Sequence, residues 1–465
     1  MKLIIATFWF LIFTKLLLFW TWLWQLKEYH FGRFKAHFET YKLNKIFSSF
    51  WSIKVPKLTK KTIIILLTGI LLEILILFYI FPFSDKKFYF SLLILIIFAP
   101  LILSLLILLF QIPTVILRNQ ILKKAKKKRL QFKSLLVIGI TGSYGKTSTK
   151  EFLAEILSSK FNVLKTKEHI NAEIGIAETI LNELRDEHEI FICEMGAYER
   201  GKIKEVCEMI KPTIGILTGI NEQHLSTFGS LENIIKAKFE LIESLPADGI
   251  AFFNAKNKYC LKLYQMTKIK KFLYGENVKL AGLENIEGAK AVARELGMSE
   301  EEIERVCSKI ENKFPGIKIK KGINGLNIID ATFSANPYGV ISHLDYLRVW
   351  EGPEGKPSAS YGVNKKVIIM PCLIELGSAS KEIHKRIGEK IGEICDLAII
   401  TTKDRFKELE EGAKRAEMSA QRILLLQNPQ EIFEKIKAFS QPGDVILLES
   451  RVPSELKNLL WKLEK

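Results

Sequence analysis

The stretch "VIGITGSYGKTSTKEFL", Val137–Leu153, decides how this chain is read. Leu135 to Ile140 is a short apolar run with β-branched residues and predicts a strand. Gly142 and Gly145 bracket a turn, and Lys146, Thr147 and Ser148 open a segment in which Phe152, Ile156 and Leu157 recur at helical spacing. A strand, a glycine-bearing turn and a helix N-terminus are the parts a phosphate-binding loop needs. The glycines let backbone approach the anion, and the free N–H groups of the helix face it. On that reading Gly142, Ser143, Tyr144, Gly145, Lys146, Thr147 and Ser148 surround the phosphates of ATP, Lys146 reaches the terminal phosphates and the Thr147 hydroxyl holds magnesium. The strict pattern G-x-x-x-x-G-K-[ST] asks for glycine at position 140, where the chain has Ile140. Taken alone, the stretch therefore also describes an ordinary strand, turn and helix.

Working outward, short β-branched runs alternate with segments of helical periodicity. "NVLKT", "EIFICEMG", "TIGILTGI" and "GIAFFNA" form one series, and "KVIIMPC", "LAIITT", "RILLLQ" and "DVILLES" form a second after Gly and Pro near 315. This rhythm predicts parallel sheet with crossover helices. "WEGPEGKPSASYGVNKK", Trp350–Lys366, reads as an exposed loop inserted before a strand.

The 465 residues carry 68 basic and 51 acidic side chains, a formal net charge of +17. Of these, 21 basic and 4 acidic fall in residues 1–133, leaving 47 of each in the remainder. A neutral α/β part argues against a nucleic-acid protein, whose basic face belongs on the folded domain. The excess belongs instead to an N-terminal module with three apolar stretches, Leu3–Trp24, Thr62–Phe83 and Phe88–Ile116, each long enough to cross about 30 Å of hydrocarbon. Lys15 and Glu73 are the charges inside them, and snorkelling or mutual pairing is the expected role of both. Lys27–Lys61 holds nine basic residues and Arg118–Lys133 holds eight with no acid, whereas the connection between the second and third stretches offers only Asp85, Lys86 and Lys87 as charges. The positive-inside rule then puts both basic segments in the cytoplasm, the N-terminus outside and all residues after Lys133 inside. "KKAKKKR", Lys123–Arg129, suits a stop-transfer signal or anionic lipid headgroups equally. The six cysteines show no C-x-x-C or metal spacing and are expected as free thiols.

In open α/β sheets ligands gather at the carboxyl ends of strands. Glu194 in "CEMGAYERG" ends a hydrophobic strand; His224 follows another, and Lys236 and Lys238 lie on the next helix. Singly, these are a helix-cap partner, a turn histidine and a solvated helix face. Together with the loop they outline a nucleotide–magnesium centre.

These residues carry a resemblance to the Mur ligases of peptidoglycan synthesis. "GITGSYGKTSTKE" resembles that family's T-G-x-x-G-K-T loop, in which the missing glycine is usual, and "HINAEIGIAETIL" carries Asn171 in its Asn-containing segment. "CEMGAYERGKI" and "NEQHLSTFGSLENIIKAKFEL" are similar to its acidic and histidine segments, and "GLENIEGAKAVA" to a helix start with Asn285 in the adenine-contacting place. "IIDATFSANPYGV" and "IELGSASKEIHKRIG" resemble two third-domain segments. The likeness runs from about Leu135 to the end.

The apolar stretches and the resemblance together predict a fold of three parts: a three-helix transmembrane anchor (1–133), which the apolar stretches give, and a P-loop-type parallel-sheet ATPase domain (134–314) and a C-terminal Rossmann-like α/β domain (315–465), which the resemblance implies. It implies an ATP-dependent amide ligase working through an acyl phosphate, with two Mg2+ ions. Thr147 and Glu194 would hold the first, and His224 with a carbamylated Lys238, chosen over Lys236 for its A-K position, the second. Asn285 and Asp330 would contact the nucleotide; Asn171, Ser334 and Asn336 the substrates. Lys146, His224 and Lys238 would carry catalysis. The expected reactants are a muramoyl-peptide precursor, UDP-linked or lipid-linked, and D-alanyl-D-alanine or a related amine, at the membrane and with room for a cell-wall synthesis partner protein. The sequence also departs from the family. Membrane spans stand where the domain gripping the UDP-sugar is expected. Ala331, Ser334, Ile317, Pro371 and Cys372 replace motif residues, and "LLESRVP" keeps Ser450 and Arg451 without the preceding Lys-Gly. Those changes support an alternative reading as a membrane scaffold with a relic ligase domain.

Overall fold

The computed structural model describes residues 1–27, 29, 34, 53–167, 170–278, 282–310, 317–332, 335–352 and 364–461. Ser334, most of the basic segment 27–61, the Gly and Pro near 315 and most of the loop 350–366 lie outside them. The chain forms two compact units, Met1–Ile121 and Leu122–Lys465.

In the first unit, Lys2–Leu26, Lys60–Ile80 and Asp85–Leu109 are helices, and three helical stretches are long and apolar enough to cross a membrane. Several of their buried polar groups are satisfied from within, although Thr21 Oγ1 and Glu73 Oε1 are buried without a partner. Trp9 Nε1 donates to the Leu92 carbonyl at 3.0 Å, Trp24 Nε1 to Ser104 Oγ at 3.0 Å, and Thr14 Oγ1 to Glu73 Oε2 at 2.8 Å. Gly69 lets Leu17 lie against its helix, since a Cβ there would sit 2.5 Å from Leu17 Cδ2. The third stretch differs from the expected single run to Ile116. One helix ends at Leu109 and another runs Gln111–Arg129. Pro113, in the first turn of the second helix, has no N–H to donate to the carbonyl four residues back, at Leu109, so one ladder bond is missing at the join.

That second helix carries "KKAKKKR" into the other unit. The Arg129 side chain is buried and donates to the carbonyls of Ile210, Phe132 and Leu135 at 2.9, 3.0 and 3.3 Å, and Lys128 Nζ donates to Leu181 at 3.0 Å. Part of the basic run is therefore structural.

The second unit holds two sheets. The first comprises β1 (Leu136–Thr141), β2 (Val163–Lys165), β3 (Ile190–Met195), β4 (Ile214–Leu217), β5 (Ile250–Asn254) and β6 (Lys270–Tyr274) in the order β2-β3-β1-β4-β5-β6, every neighbouring pair parallel. The chain goes to one side of β1 for β2 and β3 and to the other for β4 to β6. The order reverses at β1, where a crevice opens for a ligand. Helix Lys146–Leu157 follows β1 and buries Phe152, Leu153, Ile156 and Leu157 on this sheet. On the other face Gly139 leaves room for Met195 of β3 and for Leu241 of helix Leu231–Glu243, since a Cβ there would lie 2.5 Å from Met195 Cε and 2.7 Å from Leu241 Cδ1.

The second sheet comprises β7 (Lys318–Lys321), β8 (Asn327–Ala331), β9 (Lys366–Met370), β10 (Leu397–Ile400), β11 (Ile423–Leu425) and β12 (Val445–Glu449) in the order β11-β10-β9-β12-β8-β7. All pairs are parallel except β7 with β8, which is antiparallel. The strands that the β-branched rhythm did not announce are β6, β7 and β8. β6 and β7 are exposed edge strands rich in lysine, "KKFLY" and "KIKK", and their polar faces hide them from an apolar-run criterion.

Helices Ser380–Ile394 and Phe406–Arg415 cross at glycine. A Cβ on Gly412 would fall 1.9 Å from the Lys385 carbonyl oxygen, and one on Gly388 2.1 Å from that of Leu409. Gly412→Ala should therefore cost about 1–3 kcal/mol by overpacking, read as a lower thermal unfolding midpoint of the detergent-solubilised protein. An unchanged midpoint would mean that the two backbones do not meet there.

Candidate active site

The loop after β1 is held by the residues that follow β4. Ser143 N–H donates to Gly219 O at 2.7 Å, and Thr218 Oγ1 donates to Thr141 O at 3.1 Å and to Tyr144 O. Gly142 (φ +155°) and Gly145 (φ +78°) are both required: a Cβ on the first would meet Thr218 Oγ1 at 2.2 Å, on the second Asn285 Oδ1 at 2.3 Å. Gly145 precedes the helix and no side chain caps its first turn, which leaves that helix end to an anion. Lys146 Nζ donates to Gly142 O at 2.9 Å, folding across the loop it serves.

Glu194 sits near the end of β3 and is buried. Its Oε2 accepts from Thr147 Oγ1 at 2.9 Å and lies 3.2 Å from Lys150 Nζ; its Oε1 accepts from Asn171 Nδ2 at 3.1 Å; its backbone N–H donates to Thr166 Oγ1 at 3.1 Å. Burial alone pushes this carboxyl up, but Lys146, Lys150, Asn171 and Thr147 together outweigh burial and leave it below the usual carboxylate range. The residue is an anion at neutral pH. Lys150, fully buried, was not singled out from the sequence; its signal was a lysine one turn after Lys146 on a helix that otherwise faces the core.

His224 (φ +63°) precedes the short helix Leu225–Phe228, with its Nδ1 2.6 Å from Glu375 Oε2 and its ring edge-on to Tyr198 at 4.6 Å. Burial moves the imidazole down, Glu375 opposes that, and Lys238 and Lys146 lower it further. Lys238 lies on helix Leu231–Glu243 and is buried, whereas Lys236 on the same helix is exposed and pairs with Glu232. Burial, with Lys146 adding to it, lowers the Lys238 ammonium to about 7, so a large share of it is uncharged amine near neutrality. The structure thus brings Lys146, Thr147, Glu194, Asn171, His224 and Lys238 into one crevice.

Of the remaining expected site residues, Ser334 lies outside the described residues, and the others have these surroundings. Asn285 is buried against the loop, its Oδ1 3.3 Å from Thr149 Oγ1 and its Nδ2 donating to Gly282 O at 2.9 Å. Asp330, on β8, accepts from Thr332 N–H at 3.1 Å and lies 3.5 Å from Lys457 Nζ. Asn336 caps helix Pro337–Arg348 by accepting from Gly339 N–H at 2.9 Å. Tyr144 belongs to the loop by backbone, while its side chain is buried under Gly219 and stacks on Tyr338 at 3.8 Å. Asn257 Nδ2 donates to its hydroxyl at 3.0 Å, and Tyr338 OH donates to Glu284 Oε1 at 2.5 Å.

Among the described residues no group of three or more His, Cys, Asp or Glu side chains is placed to hold a metal. The donors present suit magnesium in another way. Thr147 and Glu194 offer hard oxygens in hydrogen-bond contact beside the phosphate loop, the type Mg2+ takes together with phosphate and water.

Lys150→Met removes a cation from a buried carboxylate. Breaking one side of such a pair costs about 3 kcal/mol, expected as a lower unfolding midpoint, and Lys150→Met with Glu194→Leu should recover much of it. If the single substitution leaves the midpoint unmoved, Lys150 does not hold Glu194.

Residues 140–318 match the Mur ligase middle domain. A UDP-N-acetylmuramoyl-tripeptide--D-alanyl-D-alanine ligase of Bacillus subtilis (strain 168) is 25% identical over 371 residues, covering 74% of this chain and 79% of the relative. The enzyme of that name in Escherichia coli (strain K12) is 40% identical over 121 residues, 26% of each chain. Among solved structures, MurF from Acinetobacter baumannii has a TM-score of 0.63 at 23% identity, covering 74% of this chain and 80% of its own. MurF ligase from Thermotoga maritima in complex with ADP has a TM-score of 0.60 at 24% identity, covering 74% and 83%. The chain is a relative of the Mur ligases, and its homologues are ligases.

Proposed function

We propose that this Mur-ligase relative is an ATP-dependent carbon–nitrogen ligase that joins an amine to a muramoyl-peptide carboxylate. The observation that carries the reading is the convergence of Lys146, Thr147 and Glu194 on the switch-point loop, with Lys238 and His224 beside it.

The substrate carboxylate attacks the γ-phosphorus of ATP, the bond to the β-bridging oxygen breaks, and ADP leaves with that electron pair. The amine then adds to the acyl phosphate, loses a proton and expels inorganic phosphate. Both steps gather negative charge, so the chain's part is electrostatic. Lys146 neutralises the terminal phosphates, and the open end of helix Lys146–Leu157 supports them. Bound magnesium would neutralise and align the phosphate oxygens, with Thr147 and Glu194 holding one ion and His224 and carbamylated Lys238 the other. The carbamate forms as the neutral Lys238 amine adds to CO2 and releases one proton. Its negative charge relieves two lysines packed together.

The reading extends to the substrates named for the homologues, a UDP-linked muramoyl tripeptide and D-alanyl-D-alanine, and to a lipid-linked precursor as a further candidate. The three apolar helices would hold the catalytic unit at the inner face of a membrane, where anchoring raises the effective concentration of anything confined to that surface.

The deciding experiment supplies purified full-length protein with ATP, Mg2+ and either a UDP-linked or a lipid-linked precursor, and follows D-alanyl-D-alanine addition by mass spectrometry. Ligation is expected with at least one precursor and is lost in Lys146→Ala, whose ATP affinity falls at least tenfold. Unchanged ATP affinity and turnover in that variant would sink the assignment of the loop. Separately, 13C-bicarbonate should give a carbamate carbon resonance in the wild-type protein that is absent from Lys238→Met. A signal that survives the substitution places the carbamate elsewhere.

A further inference from the structure

We infer that Glu375 is a positioning residue that fixes the imidazole of His224, so that the C-terminal domain completes the metal-binding half of the centre. This rests on the role proposed above for His224.

Three observations converge on the pair. The first is the contact itself: Glu375 Oε2 is 2.6 Å from His224 Nδ1 across 151 residues of sequence, joining the segment after β9 to the segment after β4. A carboxylate there accepts the Nδ1 proton and leaves the Nε2 lone pair as the one a ligand can use. A histidine that binds metal through one nitrogen commonly donates from the other to such a group. The second is backbone strain on both partners. His224 has φ +63° and Glu375 φ +66°, left-handed values that strain a side-chain-bearing residue and persist only where the surroundings impose them. The third is that the main chain docks as well. Ser226 N–H donates to the Glu375 carbonyl at 3.3 Å, and Gly377 (φ +52°) lies against Leu225 and Ser226.

The segment bearing Glu375 is itself braced. Leu373 N–H donates to His384 Nε2 at 3.0 Å, and His384 Nδ1 donates to the Ser380 carbonyl at 2.6 Å, which locks that buried imidazole as the Nδ1–H tautomer. Tyr198 covers the His224 ring edge-on at 4.6 Å. The imidazole is therefore held by the central domain on one side and the C-terminal domain on the other. Its working orientation exists only while the two domains are seated together, which ties metal capture to closure.

The test uses full-length protein in detergent with Glu375→Ala, Glu375→Gln, His224→Ala and the Glu375→Ala/His224→Ala double variant. Mn2+ binding is read by electron paramagnetic resonance in the presence of a non-hydrolysable ATP analogue, and steady-state ligation alongside. Glu375→Ala should lose about 10–100-fold in Mn2+ affinity at the weaker site and a similar factor in kcat, with the KM for ATP within twofold of wild type. Glu375→Gln, whose amide oxygen still accepts from Nδ1–H, should recover most of both. The double variant should bind Mn2+ no worse than His224→Ala. A purely structural Glu375 would instead lower the active fraction equally in both Glu375 variants and leave the affinity of the folded fraction unchanged. Mn2+ affinity within twofold of wild type in either Glu375→Ala or His224→Ala overturns the inference, as does a Gln variant as impaired as the Ala variant. If the wild-type protein ligates none of the precursors, the ligase reading fails, and the Mn2+ measurements still decide this one.

Discussion

The buried carboxylate of Glu194 is the constraint around which the central domain is organised. An ion taken out of water at a strand end is expensive unless its oxygens are met by donors or cations. Here Thr147 and Lys150 meet one oxygen and Asn171 the other. The partners arrive on two elements: Thr147 and Lys150 on the helix after β1, and Asn171 on the segment between β2 and the helix Glu173–Glu183. Satisfying one carboxylate therefore sets the register of β1 against β3, in which Ile140 stands opposite Glu194, and fixes where the phosphate loop opens.

Around that anion the crevice is made of lysines whose charges are poorly solvated. Lys146, Lys150 and Lys238 all lie near one another or near Glu194, and burial lowers both Lys146 and Lys238. Such a cluster is costly in isolation and favourable when polyanionic phosphate enters it, a preorganised field in the sense that the charges need not move when the ligand arrives. The segments of the first sheet and of the second sheet meet over this field twice, once through the stacked Tyr144 and Tyr338 with Glu284, and once through His224 and Glu375. Both junctions join a residue of the nucleotide crevice to the start of a C-terminal segment, so the second sheet takes part in shaping a site that the first sheet carries.

Most strands of the α/β part that are buried on both faces were legible, the exception being β8, whose short "NIIDA" carries polar residues at both ends of its apolar pair. β1, β3, β4, β5, β9, β10 and β12 appear in the sequence as apolar β-branched runs because parallel strands covered by helices must be apolar throughout. The lysine-rich edge strands β6 and β7 were not legible, since an edge keeps one row of neighbours and tolerates charge. The break at Phe110 could be located from Pro113 once the helix was seen to stop there, yet hydropathy alone ran through it. The basic run at 123–129 read as a single charged patch, while its last two members are anchored to carbonyls of the folded domain.

What the sequence determined by itself was the local chemistry: a strand, two obligatory glycines and a helix start at 137–153, an acid at the end of an apolar strand, a histidine after the next, and a lysine on the helix beyond. These follow from short-range rules of backbone geometry and side-chain period, which a linear string contains. The tertiary structure alone decided which charges share a site. It distinguished buried Lys238 from exposed Lys236, found Lys150 beside Glu194, turned Asn285 toward the loop and Tyr144 toward Tyr338, and set Glu375 against His224. Those facts depend on burial and on contacts across tens to more than a hundred residues. The energy of a charge is set by what surrounds it in space, and spacing along the chain does not encode that.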